Sequence, residues 1–140
     1  MQLTQFTDYS LRVLIYLARS GERGATIGEI ADYYRISRNH LMKVVTGLAG
    51  AGFVATTRGK GGGLQLGRPA HTIMVGEVVR ATETDFHLAE CFCVARDQCR
   101  ITRNCALKGM LHEARRDFFK VLDGYTIAEA AGQGGKVSPP

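Results

Sequence analysis

Residues 26–50 read TIGEIADYYRISRNHLMKVVTGLAG and contain the signals of two short consecutive helices. Thr26 followed by Glu29 forms a capping box, which predicts that the first helix begins here. Ser37 is an N-cap residue that predicts the start of the second helix, which ends at Gly50. Apolar residues recur at helical spacing in both, namely Ile27, Ile30, Ala31 and Tyr34, then Leu41, Val44, Val45 and Leu48. The arrangement is typical of a helix-turn-helix, although an ordinary helical hairpin has the same pattern.

The segment that follows separates these two alternatives. Two strand-like runs, residues 53–57 and 64–66, flank a glycine-rich basic tip at 58–63. Glycines let such a tip approach a sugar-phosphate backbone, and Arg58 and Lys60 supply the positive charge that a minor groove attracts. A phosphate-binding nucleotide loop is the rival interpretation, but the segment lacks both the Walker A spacing and a following helix. We therefore predict a mainly α fold with a small β-hairpin wing, a winged helix-turn-helix.

Three more helices are predicted from apolar spacing. The first covers residues 7–20 and the second covers residues 75–82. The third has a broad apolar face over four or five turns, made by Leu107, Met110, Leu111, Ala114, Phe118, Val121 and Leu122. A face this long predicts a long C-terminal dimerisation helix that packs on its copy in a second subunit. The alternative is that it packs back on its own winged domain.

These signals divide the chain into four segments. We expect a winged helix-turn-helix DNA-binding domain at 1–84 and a cysteine cluster-binding loop at 85–105. The dimerisation helix and a C-terminal short helix should occupy 106–131. Residues 132–140, which are rich in Gly and Pro, should form a flexible tail.

Composition and charge limit the class of protein. The 140 residues suffice for one compact domain with an appended helix and loop, and 45% apolar with 22% charged residues is a globular composition. No apolar run approaches the roughly eighteen residues of a membrane span, and the first residues show no secretion leader, so we expect a cytoplasmic protein without membrane contact. Residues 1–80 hold ten Lys and Arg against five Asp and Glu, whereas residues 81–140 hold eight of each. The basic part suits a phosphate-rich partner.

The second helix of the predicted helix-turn-helix begins with polar side chains. We expect this helix to enter the major groove of double-stranded operator DNA, with the wing in the adjacent minor groove. The predicted DNA-binding residues are Ser37, Arg38, Asn39, His40 and Lys43 on the helix and Arg58 and Lys60 on the wing.

Four cysteines lie within fifteen residues, at Cys91, Cys93, Cys99 and Cys105. In a reducing compartment a disulfide framework is not expected, and charged neighbours argue against buried core thiols, so metal ligation explains the cluster better. Paired CxxC knuckles, which are usual for structural zinc, are absent, and the five-residue gaps suit a loop around a larger group. An iron-sulfur cluster, a zinc ion and metal-free thiol redox sensing all remain open on spacing alone.

An enzyme with a cysteine nucleophile is the competing class. It requires a base such as His87 or His112 beside a thiolate, but no acid lies at a recognisable spacing to orient either histidine. We therefore predict that the protein is not an enzyme. His87 is near enough in sequence to the cysteines to remain a reserve ligand.

Several short motifs together resemble the NsrR, IscR and RirA family of bacterial iron-sulfur winged-helix regulators. They are Leu3-Thr4, Phe6-Thr7-Asp8-Tyr9, Leu11-Arg12, Ser37-Arg38-Asn39-His40-Leu41, Lys43-Val44, Arg58-Gly59-Lys60, Gly62-Gly63, Ala89-Glu90-Cys91-Phe92, Cys99 and Cys105. The resemblance runs from residue 1 to about residue 130 and, in the segments at 37–41 and 123–128, is greatest to the nitric-oxide-sensitive NsrR type. It implies a homodimeric repressor in which three cysteines hold a 4Fe-4S or a 2Fe-2S cluster. Nitric oxide attacks that cluster, and the altered protein releases its operator.

The same resemblance implies the ligands. Cys99 and Cys105 match the second and third family cysteines, whereas the first matches either Cys91 by its sequence context or Cys93 by its spacing. An aspartate from the opposite subunit completes the coordination in some NsrR proteins, and Asp8 is at that position, where it is also a favourable acid for the first turn of a helix. The histidine that IscR uses after its last cysteine is absent from residues 106–108. An iron- or redox-responsive regulator of the same family, or a zinc- or thiol-based redox or interaction module, is the alternative function.

Overall fold

The structure, a computed structural model, describes residues 2–57, 59 and 63–133 of the chain. Within these residues the helices are α1 (Gln5–Ser20), α2 (Ile27–Tyr34), α3 (Arg38–Gly50), α4 (Val75–Thr82), α5 (Ala106–Leu122) and α6 (Ile127–Ala130). The strands β1 (Val54–Thr56) and β2 (Leu64–Leu66) follow α3. Short 3₁₀ turns occur at Gly21–Arg23, Ala70–Thr72, Glu90–Phe92 and Thr102–Asn104. The predicted mainly α fold with a small β-hairpin is confirmed.

The two predicted caps begin α2 and α3. Thr26 Oγ1 accepts a hydrogen bond from the Glu29 N–H at 3.2 Å, and the Glu29 carboxylate accepts one from the Thr26 N–H at 2.6 Å, so the capping box is complete. Ser37 Oγ accepts from the backbone N–H three residues later at 3.5 Å. Helix α1 starts two residues earlier than predicted because Thr4 caps it through a 3.3 Å hydrogen bond to its third N–H.

The hairpin is antiparallel, with Val54 opposite Leu66 and Thr56 opposite Leu64. The Leu64 backbone also exchanges hydrogen bonds of 2.7 and 3.0 Å with Ala25, just before α2, which ties the hairpin to the helix-turn-helix. At Gly24, with φ of 62°, a Cβ atom would lie 2.5 Å from the Leu64 carbonyl oxygen, so only glycine fits this crossing. The hairpin is thereby held beside α2 and α3.

One hydrophobic core lies between α1, α2, α3, the hairpin, α4 and α6. Its largest fully buried apolar side chains are Leu14, Leu17, Ile30, Leu41, Leu48, Ile73 and Ile127. Helix α6 therefore packs into the core formed by the N-terminal helices, although it follows α5 in sequence. Gly132 and Gln133 continue this contact, since the Gln133 side chain donates to the Ala18 carbonyl oxygen at 2.7 Å.

Helix α5 differs from the other long helices because none of its seventeen residues is buried. Its C-terminal end is attached to α4, where the Arg80 guanidinium makes two hydrogen bonds of 2.6 and 2.7 Å to the Asp123 carboxylate and lies 4.2 Å from the Phe119 ring centroid. No helix in the described part of the chain is long and apolar enough to cross a membrane.

Candidate functional site

Helix α3 presents one face to solvent. Leu41, Val44 and Leu48 bury the opposite face in the core. The exposed side chains are Asn39, His40, Met42, Lys43 and Thr46, which we call the α3 face. Three of the predicted DNA-binding residues thus lie together on an exposed surface, and Ser37 caps the helix that carries them. Such a face can enter a major groove, whose width admits one α-helix.

Arg38 has a different environment from the α3 face. Its Nη2 atom lies 3.6 Å from the Asp32 carboxylate, and a Cβ atom on Gly28 would lie 3.3 Å from the same nitrogen. The guanidinium therefore lies over α2, the first helix of the helix-turn-helix. In this motif the first helix crosses the sugar-phosphate backbone while the second contacts base edges. This position suits a phosphate contact better than the predicted base contact.

The wing residues Arg58 and Lys60 lie outside the described residues. Their role therefore stays a prediction from sequence. The strands on either side of them are described, and the Thr57 N–H donates to the Gly63 carbonyl oxygen at 2.9 Å, which closes the ladder below the tip.

The cysteine loop, residues 85–105, has no buried residue and so contributes nothing to the core. Its four cysteines are free thiols of intermediate exposure. Cys105 is the N-cap of α5, where its Sγ atom accepts a hydrogen bond from the Lys108 N–H at 3.4 Å. This hydrogen bond fixes the last cysteine of the loop at the start of α5.

Charged side chains organise the rest of the loop. A hydrogen bond from the Arg96 guanidinium lowers the pKa of the Cys93 thiol. Arg96 also approaches His87 Nδ1 at 3.2 Å and the Asp85 carboxylate at 3.8 Å. The Asp97 carboxylate accepts hydrogen bonds from the Cys99 N–H at 3.1 Å and from a nearby threonine hydroxyl at 2.8 Å. The Arg96 cation beside Cys93 and the ordered turn at Cys99 suit a site in which cysteine thiolates bind an iron-sulfur group.

The predicted metal ligands, four cysteines on the loop and Asp8 on α1, do not converge. Within the described ranges, no three His, Cys, Asp or Glu side chains are arranged to hold a metal ion. Asp8 lies on α1, where its carboxylate pairs with the Arg12 guanidinium at 2.7 Å. Arg12 also lies 5.9 Å from the ring centroid of Tyr34 on α2. The donor set, four thiols and one carboxylate, fits an iron-sulfur group by its chemistry, and assembling it requires the exposed loop to close.

Sequence reasoning missed Glu83, which precedes the cysteine loop. Its carboxylate accepts hydrogen bonds from the Thr4 N–H at 3.1 Å and the Thr4 hydroxyl at 3.1 Å, and from the Thr7 hydroxyl, whose residue is fully buried. The end of α4, two positions before the loop, is thereby joined to the start of α1. No local pattern signals this contact, because it connects residues 79 positions apart.

Met42 and Thr46 on the α3 face were also missed. A signal for them was available, since Asn39, Met42, Lys43 and Thr46 follow the i, i+3, i+4, i+7 spacing of one helix face. Met42 is 52% exposed, which is unusual for so large an apolar side chain. Apolar side chains on such a helix can contact thymine methyl groups.

Comparison with known proteins shows which family shares this architecture. The chain matches the Rrf2 family, described as an iron-dependent transcriptional regulator, over residues 3–133. It is 50% identical over 131 residues to a protein of Bacillus subtilis named HTH-type transcriptional regulator NsrR, with 92% of this chain and 89% of that protein covered. A protein of Bacillus licheniformis with the same name is 47% identical over 130 residues, with 92% and 91% covered.

Solved structures agree in fold. CymR, the global cysteine regulator of B. subtilis, superposes with a TM-score of 0.74 at 25% identity, covering 96% of this chain and 98% of that chain. The structure of T. potens IscR superposes with a TM-score of 0.75 at 21% identity, covering 99% and 94%, and this second likeness concerns the fold alone. The relatives are transcriptional regulators and not enzymes. On the extent of these matches, the chain belongs to the Rrf2 family of transcriptional regulators.

Proposed function

We propose that the protein is a homodimeric cytoplasmic repressor whose binding to double-stranded operator DNA is controlled by nitric oxide through an iron-sulfur group on the cysteine loop. The observation that supports this most strongly is the joining of two parts in one chain. A loop with four free thiols and no buried residue begins two positions after Glu83, whose carboxylate binds the first helix of a DNA-binding fold. The likeness to relatives named NsrR agrees with it.

Contacts to DNA divide by their position in the fold. Asn39, His40 and Lys43 extend from the α3 face toward base edges, while Arg38, whose guanidinium lies over α2, contacts the phosphate backbone. Arg58 and Lys60, predicted from sequence as wing residues, enter the neighbouring minor groove. The positive charge of the first eighty residues supports this interface, because each neutralised phosphate releases condensed counterions.

Cys99, Cys105 and either Cys91 or Cys93 would hold the iron-sulfur group. The Arg96 guanidinium lowers the pKa of Cys93 and so favours the thiolate form that ligation requires, while Cys105 is held in place as the N-cap of α5. When bound, a 4Fe-4S or 2Fe-2S cluster supplies iron that can react with nitric oxide. Asp8 of a second subunit would add a carboxylate ligand, and to do so it must leave Arg12 of its own helix.

The proposed dimer forms along α5. This helix is about 25 Å long at 1.5 Å per residue, and its apolar side chains are unusually exposed. Leu107, Met110 and Val121 are 60%, 63% and 58% exposed, respectively. A second copy of the helix would cover them through a self-complementary two-fold contact. Sedimentation should give a dimer for the wild-type protein and a monomer for Met110→Glu.

A path between the loop and the DNA-binding surface is present in one subunit. Glu83 holds the first turn of α1, and the Phe6 ring in that turn lies against Gly47 on α3. A movement of the loop that displaced Glu83 would therefore shift α1 against the helix that carries the α3 face. The switch would then consist of two arrangements of α1 against α3, one in which the protein binds DNA and one in which it does not.

An iron-responsive regulator is the second candidate function, because the family description names iron dependence. A zinc- or thiol-based module is the third, and metal analysis separates it from the other two. Anaerobically purified protein should contain iron and sulfide and absorb visible light, and Cys99→Ser should contain neither and absorb no visible light. A colourless wild-type protein with stoichiometric zinc would refute the proposal.

A further inference from the structure

The cysteine loop depends on a few contacts for its position, since none of its residues is buried. Its last residue, Cys105, is fixed as the N-cap of α5. Near its start, the Phe86 ring packs edge-on against Phe119 of α5 at 4.7 Å between centroids. Between these two ends, one further side chain of the loop packs a ring on α5, and it lies directly between two of the cysteines.

That side chain is Phe92. Its ring stacks on the His112 imidazole with 4.2 Å between centroids and 19° between planes. The Arg115 guanidinium carbon lies 4.8 Å from the same ring centroid, one helical turn further along α5. Phe92 is thus docked on two side chains of α5, and its own backbone N–H is fixed by a 3.0 Å hydrogen bond to the Ala89 carbonyl oxygen.

The two side chains of α5 that receive Phe92 are themselves joined. Arg115 Nη2 lies 3.3 Å from His112 Nδ1. A guanidinium only donates hydrogen bonds, so Nδ1 accepts in this contact. The hydrogen bond adds to the order of the platform beneath Phe92, whereas the stacked ring of His112 makes the contact with Phe92 itself.

The position of His112 along α5 determines where the cysteines next to Phe92 are held. His112 is two turns from Cys105, about 10 Å along the helix axis. Cys91 and Cys93 flank Phe92 in sequence, so docking Phe92 at His112 holds both of them alongside the N-terminal turns of α5. The first half of the loop therefore folds back toward the N-terminal end of α5, where Cys105 lies.

We propose that Phe92, docked on His112 and Arg115, is a positioning residue that holds the first cysteine ligand of the loop in place relative to Cys105. This inference rests on the proposed function, because it assigns a purpose to the placement of the thiols. Ring contacts next to a ligand, like the outer hydrogen bonds of metal sites, fix the orientation of the ligand without touching the metal.

Two readouts test it, one of them independent of any bound metal. In the reduced metal-free protein, alkylation by iodoacetamide is followed at each cysteine by peptide mass spectrometry. Phe92→Leu keeps an apolar side chain but loses the ring, and it should raise the alkylation rate of Cys91 and Cys93 relative to Cys105 by roughly 2- to 10-fold, the factor that such a ring contact is worth. His112→Ala should also raise the alkylation rate of Cys91 and Cys93 relative to Cys105. His112→Phe keeps a ring at this position and should retain the wild-type ratio.

The matched control is Phe86→Leu, which also removes a ring of the loop from α5 but lies five residues before the first cysteine. It should leave the ratio of Cys91 to Cys105 alkylation unchanged. In the second readout, the iron-loaded proteins are challenged with a chelator. Phe92→Leu and His112→Ala should lose iron at a chelator concentration about 10-fold lower than wild type, and His112→Phe should behave as wild type.

Each result decides one question. Equal alkylation ratios in wild type and Phe92→Leu would overturn the positioning role, and failure of His112→Phe to restore the ratio would show that the stack is not the docking contact. A wild-type protein without iron would refute the proposed function, while the alkylation ratio would still decide whether Phe92 positions the thiols.

Discussion

The Glu83 carboxylate accepts a hydrogen bond from the backbone N–H of Thr4 at 3.1 Å, across 79 residues of sequence. The same carboxylate accepts from the Thr4 and Thr7 hydroxyl groups, so one acidic side chain satisfies the start of α1 at the point where the cysteine loop begins. The placement also suits the positive end of a helix dipole. This contact ties the start of α1 to the end of α4, two positions before the cysteine loop.

Replacing Glu83 should therefore destabilise the fold. Glu83→Ala removes the charged acceptor shared by the Thr4 N–H, the Thr4 hydroxyl and the buried Thr7 hydroxyl, which keeps only its 3.2 Å contact with Thr4 Oγ1. Loss of hydrogen bonds to a charged group costs about 1.5–3 kcal/mol. Urea unfolding measures the difference. Glu77→Ala on α4, the helix that Glu83 follows, is the matched control, because it removes a surface pair with Arg68 that contributes below about 1 kcal/mol. Equal losses for the two variants would show that Glu83 does not anchor α1.

The contact between α1 and α3 predicts that alanine substitution has different effects on stability at two glycines of α3. A Cβ atom at Gly47 would lie 2.7 Å from the Phe6 ring, whereas a Cβ atom at Gly50 meets nothing within 4 Å. Gly50→Ala should raise stability by up to about 1 kcal/mol through helix propensity. Gly47→Ala should give no net gain, because overpacking costs about 1–3 kcal/mol. Thermal unfolding compares them, and an equal gain at both positions would exclude the Phe6 contact.

Much of this architecture follows from local signals. The capping box at Thr26, the cap at Ser37 and the spacing of Leu41, Val44 and Leu48 predict α2 and α3 because each signal acts within one turn of helix. The clustering of the four cysteines is equally local. The Asp8 side chain is different, since its pairing with Arg12 could be read from i, i+4 spacing but its proposed role depends on a second subunit.

The contacts that connect the parts could not be predicted in this way. Three contacts join segments that are distant in sequence: Glu83 with Thr4, Phe92 with His112, and Arg80 with Asp123. No local sequence pattern around these residues indicates which partner each one contacts. The packing of α6 into the N-terminal core is another case, because the apolar spacing of so short a helix does not say which surface it covers.

The capping box at α2 predicts a dependence on pH. Hydrogen bonds from the Thr26 backbone N–H and then from Arg23 lower the pKa of Glu29 to about 2, against 4.5 for an ordinary glutamate. A folded-state pKa below the unfolded value means that the stabilisation is complete above pH 4.5 and is lost as pH falls from 4.5 toward 2. Glu29→Gln should flatten the dependence of the unfolding midpoint on pH over this window. Glu22→Gln, in the preceding turn, should leave it as in wild type, and identical curves for Glu29→Gln and wild type would contradict the prediction.

Salt dependence should separate the two kinds of DNA contact. Arg38 lies over α2, so Arg38→Ala should weaken binding to operator and to random DNA alike and reduce the slope of log affinity against log salt by about 1. Asn39→Ala on the α3 face should instead cost about 1–3 kcal/mol on the operator with little change on random DNA. Fluorescence anisotropy at several salt concentrations, on a site selected from random duplexes by the anaerobic protein, measures both. An operator-specific loss in Arg38→Ala would assign it to base contact instead.

The most direct test of a thiol loop that controls DNA binding is operator affinity of the anaerobic protein before and after nitric oxide. We predict that nitric oxide bleaches the visible absorption and lowers affinity for the selected operator by at least about 1,000-fold, to the level of non-specific binding. Cys99→Ser should bind the operator weakly from the start and should not respond. Unchanged operator affinity after complete bleaching would contradict the proposal, because the thiol loop would then be uncoupled from α3.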